Sequence, residues 1–143
     1  MQFALVFFIM TFAHFVNGQI LDSSKTIRLD GLYQTKSYID KEDNDTTCGY
    51  LRFYLEGKVI SVTAEGTAFD LKEWFNLKMD NPSVGNYQIR RKRIYFSTTS
   101  KEGTVIYMGK IKDQYRIILK SKSLINGYKE RAKYYFVALD NLK

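Results

Sequence analysis

From Leu29 onward the chain alternates apolar and polar residues with a period of two, the pattern of strands buried on one face. Residues 31–39 read as a first strand. Residues 50–55 put Leu51, Phe53 and Leu55 on one face and Tyr50, Arg52 and Tyr54 on the other. Glu56-Gly57 is a hairpin turn, with glycine supplying the positive φ, and 58–64 returns as its partner. Two further hairpins pair 85–89 with 94–99 across Arg90-Arg-Lys-Arg93, and 105–111 with 115–120 across 112–114. Asn126-Gly127 marks another turn, and 133–139 closes a count of eight strands.

One segment breaks the alternation. Asp70 and Glu73 are spaced as a capping box, and they predict a helix over 71–77 ended by Pro82. Leu71, Trp74 and Phe75 share one face of that helix at i, i+3, i+4 spacing, with Met79 continuing it. Eight short strands with short turns predict an all-β fold: an eight-stranded antiparallel up-and-down barrel with one short helix. The alternative is a two-sheet β-sandwich. A barrel of this size either packs its interior with side chains or holds one small ligand.

Gly31-Leu-Tyr33 at the start of the domain, the Gly85-x-Tyr87-x-Ile89 … Ile94-x-Phe96 hairpin and its partial echo at Gly109-x-Ile111 and Ile117-x-Leu119 resemble small lipocalin-like (calycin-type) barrels, uncharacterised exported proteins of bacteria. That resemblance implies a barrel over about 29–139 and carries over no catalytic residue.

The first 18 residues follow a different pattern. Phe3 to Val16 is an apolar run of about 14 residues, shorter than the about 20 that a membrane span needs. Val16-Asn-Gly18 supplies small residues for cleavage. We therefore expect a signal peptide at 1–18, a loose arm at 19–28 and one domain at 29–143. The product is expected to be periplasmic or secreted, without a transmembrane anchor.

Cleavage would remove His14, the only histidine, and leave Cys48 as the only cysteine. Without histidine, the commonest general base and metal ligand are missing, so enzymatic activity and cofactors are not expected. A carboxylate-based hydrolase is the remaining catalytic option. Asp40, Glu42, Asp43 and Asp45 form an acidic loop, but the glycine that bends a calcium-binding loop is missing. Asn44-Asp-Thr46 is a glycosylation sequon.

With no charge before Asp22, the formal charge of +7 belongs entirely to the mature chain. Two binding chemistries follow. Trp74, Phe75, Tyr87 and Tyr107 are candidates to hold a small apolar or amphipathic ligand, with the two helix aromatics as a lid. Arg90, Arg91, Lys92 and Arg93 are candidates to contact an anionic polymer or membrane surface, with the barrel filled and no specific nucleic acid as target. Lys101, Lys110 and Lys112 would reinforce the second if they share its face. A monomer is expected in either case. If 1–18 is a signal, the protein recovered from its own host should begin at Gln19 by intact mass; a retained Met1 would refute the processing.

Overall fold

The structure, a computed structural model, describes residues 26–39, 46–80 and 82–143. The expected signal segment at 1–18 lies outside these residues. So do most of the 19–28 arm and the loop positions Asp40, Glu42, Asp43, Asn44 and Asp45.

Eight strands close into an antiparallel barrel. They are β1 (Gly31–Thr35), β3 (Thr46–Phe53), β4 (Lys58–Glu65), β5 (Val84–Arg90), β6 (Arg93–Ser100), β7 (Gly103–Asp113), β8 (Arg116–Ser123) and β9 (Lys129–Ala138), with a two-residue β2 (Tyr38–Ile39) hung on β3. Neighbours in sequence pair from β3 round to β9. β1 then bridges β9, with Tyr33 opposite Phe136, and β3, with Tyr33 opposite Leu51. This double pairing closes the circle and excludes the sandwich. Closure requires tight bends. A Cβ at Gly85 would lie 1.6 Å from the Ser97 carbonyl oxygen, and one at Gly109 would lie 1.9 Å from that of Ile118. Only glycine lets the strands approach so closely there.

The element boundaries differ from the alternation in instructive ways. The expected first strand is interrupted at Lys36-Ser37, and β3 starts at Thr46 rather than Tyr50. Leu55 lies in the β3–β4 turn, 65% exposed, instead of on the buried face. β9 begins at Lys129, ahead of the apolar run at 133–139. The predicted helix over 71–77 is shorter and earlier: one α-turn, α1 (Ala68–Leu71), followed by a 3₁₀ turn over Lys72–Trp74. Its capping box is Thr67 with Asp70, not Asp70 with Glu73. The Thr67 hydroxyl accepts from Asp70 N, and the Asp70 carboxylate accepts from Thr67 N at 2.9 Å. The helical run ends at Phe75, whose backbone (φ −96°, ψ 54°) leaves the helical region, and its carbonyl accepts from barrel side chains: the Arg52 guanidinium donates to it, and the Tyr54 hydroxyl donates to it at 2.6 Å.

Two cores result. The barrel interior holds Tyr33, Leu51, Phe53, Val59, Tyr87, Ile94, Phe96, Ile111, Ile117, Leu119 and Tyr134. Ile27, at the end of the expected loose arm, joins them fully buried. Rings meet edge to face at Phe53–Tyr87 (5.0 Å) and Phe53–Phe96 (5.7 Å), and Phe96 stacks on Tyr107 at 4.6 Å. The second core lies outside the barrel wall, where α1 and the C-terminal residues cover β1, β3 and β4. It contains Leu32, Cys48, Tyr50, Ile60, Ala68, Leu71, Phe75 and Leu139. Tyr50 and Ile60 are therefore buried although they face away from the interior.

Burial holds several phenols in their neutral form. It pushes Tyr33 up to about 12, and it raises Tyr107 and Tyr134 as well. An unfolded chain releases these protons near pH 10. The folded state keeps them, so their contribution to stability is full below about pH 10 and is lost as pH rises toward 12. Urea midpoints should therefore stay level from about pH 8 to about pH 10 and fall above it, with Tyr134→Phe showing a shallower fall.

Candidate functional site

The predicted aromatic ligand site does not assemble as one site. Tyr87 and Tyr107 do share the barrel interior. There the Tyr87 hydroxyl donates to the Tyr54 carbonyl at 2.8 Å, and the Tyr107 ring packs on Phe96. Phe75 is fully buried in the outer core, against Tyr50 at 6.3 Å between centroids. Trp74 is half exposed on the outside and lines a groove of about 310 Å³ with Met79, Pro82 and Lys101. The two helix aromatics therefore cap no barrel mouth: the helical turn is laid along the wall, held there by Arg52.

The interior changes character along the barrel axis. Aromatic and aliphatic side chains fill one end. Toward the other, Ser61 Oγ lies 2.8 Å from Thr98 Oγ1, both hydroxyls hydrogen-bond Tyr107, and Glu130 and Tyr134 lie close by. Burial dominates the raised pKa of Tyr107, and the hydrogen bonds to Ser61 and Thr98 partly offset it. Among the described residues, no group of three or more His, Cys, Asp or Glu is placed to hold a metal ion.

The basic cluster does assemble, and it is larger than its sequence run. The β5–β6 turn carries Arg91 at φ 48° and Lys92 at φ 64°. Two successive left-handed residues make the turn that matches strand twist, but Asn-Gly is the favoured pair for it. A side chain in this region costs about 1 kcal/mol. From this turn, a cationic surface runs over the outward positions of β6–β9. Arg90 stands opposite Arg93, Arg93 opposite Lys110, Lys120 opposite Arg131, and Lys122 opposite Lys129. Like charges directly opposite one another are destabilising. Among the described residues, no salt bridge relieves them. Asp113 pairs with Arg116 at 2.6 Å, and Glu130 lies on the inward parity of β9, opposite Ser121.

Two hollows shape this face. One of about 370 Å³ is ringed by Arg93, Lys110, Lys112, Lys120 and Arg131, with Tyr95, Met108 and Ile118 as its apolar part. The other, about 420 Å³, is lined by Arg91, Lys92, Arg93, Lys110, Ile111 and Lys112. Lys110 and Lys112 thus share the face of the turn, whereas Lys101 lies in the β6–β7 turn beside Trp74. Arg90 is exposed on β5, opposite Arg93. Sequence reasoning misses Lys120, Lys122, Lys129 and Arg131. Alternation gives a signal for Lys120, a polar residue at the outward phase of 115–120, but not for Lys122, Lys129 and Arg131, which lie beyond the alternating stretches where β8 and β9 extend past them.

Comparison with protein-family models, with curated proteins and with solved structures gave no match for this chain.

The arrangement can neutralise several negative charges at once and offers an apolar surface beside them. Its repulsion has a measurable cost. Lys122→Glu, which places opposite charges at the Lys122–Lys129 pair, should stabilise the fold by about 0.5–1 kcal/mol. Replacing Arg91-Lys92 by Asn-Gly should stabilise it by about 1–2 kcal/mol. Chemical denaturation at low salt checks both, and the first gain should shrink as salt is added.

Proposed function

We propose that this protein is a non-catalytic binding module that takes an anionic partner on the outward face of β6–β9. The carrying observation is the set of like-charged pairs held directly opposite one another, Arg93 with Lys110, Lys120 with Arg131 and Lys122 with Lys129. A surface needed only for solubility has no reason to stack cations in register. A polyanion relieves that repulsion and releases its own counterions on binding. The strained Arg91-Lys92 turn supports the same reading, because an unfavourable backbone is retained with two cations on it.

The interior gives less support to a small apolar ligand. Phe53, Tyr87, Phe96 and Tyr107 pack ring against ring where such a ligand would sit, and the rest of the interior presents hydroxyls. Likeness to the small lipocalin-like barrels enters this reading through the eight-strand closure and the Gly31-Leu-Tyr33 opening. Action outside the cytoplasm enters it through the apolar run at 3–16. Among the described residues, no helix is long and apolar enough to cross a membrane.

The test is retention on immobilised heparin under a salt gradient. The wild type should bind and elute late. Replacing Arg93, Lys120 and Arg131 by Gln should bring elution to markedly lower salt, with the salt slope reduced by about one for each cation replaced. Unfolding midpoints should stay equal or rise, since the substitutions remove repulsion. Co-elution of the wild type and the triple variant would refute the proposal.

A further inference from the structure

The β8–β9 turn presents an apolar tip between basic stems. Leu124 is 54% exposed, Ile125 57% and Tyr128 64%, around a bend at Gly127 with φ 74°. These side chains leave more than half of their surface in water, although Ile125 also packs against Gly103 of the β6–β7 turn. The stems just behind them carry Lys122 opposite Lys129, and then Lys120 opposite Arg131. At about 3.3 Å per residue, Lys122 sits about 7 Å of strand from Leu124 and Lys120 about 13 Å.

The backbone of the tip is satisfied largely from within the protein. Leu124 N donates to the Thr104 carbonyl at 2.9 Å, Gly127 N to the Ser123 carbonyl at 2.9 Å, and Ser123 N to the Tyr128 carbonyl at 2.8 Å. Side chains serve two more amides: Ile125 N donates to Ser123 Oγ, and Tyr128 N to Asn126 Oδ1 at 3.0 Å. The Ile125 side chain also sits where a Cβ on Gly103 would fall, so this tip is braced against the β6–β7 turn. A turn whose amides are already bonded loses little on leaving water, which is the requirement a membrane interface imposes.

Resting on the anionic-partner reading above, we propose that the partner is an anionic lipid surface and that the β8–β9 tip is the element that enters it. Leu124 and Ile125 go into the acyl boundary, and Tyr128 sits at headgroup depth with its hydroxyl toward water. Lys122 and Lys129, one row up, meet the lipid phosphates, and Lys120 and Arg131 add longer-range attraction that salt screens. A soluble polyanion would use the charges but has no use for the aliphatic tip. A second copy of the chain would bring lysine against lysine.

The test compares the processed protein with Leu124→Ser/Ile125→Ser in sedimentation with phosphatidylcholine vesicles, with and without about a quarter phosphatidylglycerol. The wild type should bind the anionic vesicles and leave the neutral ones. The double variant should lose at least about tenfold in affinity, since two aliphatic side chains no longer leave water. It should keep its circular dichroism spectrum and its elution from heparin. A wild type that is retained on heparin but ignores anionic vesicles overturns the lipid assignment alone and leaves the tip to a macromolecular partner. Equal vesicle binding by wild type and variant overturns the role of the tip. A wild type not retained on heparin brings down the anionic-partner reading on which both rest.

Discussion

The fold depends on β1. This strand is five residues long, yet it alone joins β9 to β3 and converts an open eight-stranded sheet into a barrel without free edges. Tyr33 at its centre is fully buried and links three parts of the structure. Its ring meets Phe53 and Phe136 edge to face, at 5.7 and 5.2 Å. Its hydroxyl accepts from Arg28 N at 2.8 Å and donates to the Gln114 carbonyl at 2.5 Å, tying the entering chain to the β7–β8 turn. Arg28 then lies over the Phe136 ring at 4.5 Å. A single phenol thus fixes the chain entering β1, the closing strand and the β7–β8 turn together, in a chain whose one cysteine cannot form an internal disulfide.

That closure is what makes the basic face tolerable. Each like-charged pair opposes folding by a few tenths of a kcal/mol to about 1 kcal/mol. Four of them take a noticeable part of the roughly 5–15 kcal/mol by which a domain of this size is stable. They sit on β5–β9, the longest continuous run of ladder in the barrel, where hydrogen bonds and the aromatic interior oppose the repulsion. The residues that carry charge and those that carry stability are adjacent in sequence and on opposite sides of one wall.

Alternation makes the barrel legible. Hairpins such as 85–89 with 94–99 fall nearly in place because period-two patterning and turn residues agree there. It fails where a second layer covers the wall. Tyr50 and Arg52 look outward by phase and are buried in fact, and Ile60, which reads as an interior residue, is buried in the outer core instead, because α1 and the C-terminal residues lie on this part of the wall. No local pattern announces that cover. The helix is misplaced by the pattern because Asp70 looks like an N-cap; only Thr67, three residues earlier in extended conformation, shows that it serves as N3. Arg90–Arg93 is visible as a run, whereas its extension through Lys110, Lys120 and Arg131 depends on strand register, which brings Arg93 and Arg131 to one hollow although 38 positions separate them.

The outer layer also gives the molecule a built-in reporter. Cys48 is the only cysteine in the chain, and it lies 8% exposed beneath α1, beside Tyr50 and Leu71. A thiol reagent reaches it when that layer lifts, whether or not the barrel opens. The rate of its modification therefore acts as a one-site clock for local opening of the helical cover, read separately from global unfolding. Because the Arg52 guanidinium fastens the cover to the Phe75 and Lys143 carbonyls, the clock also measures how firmly one buried cation holds chain segments far apart in sequence against the same wall.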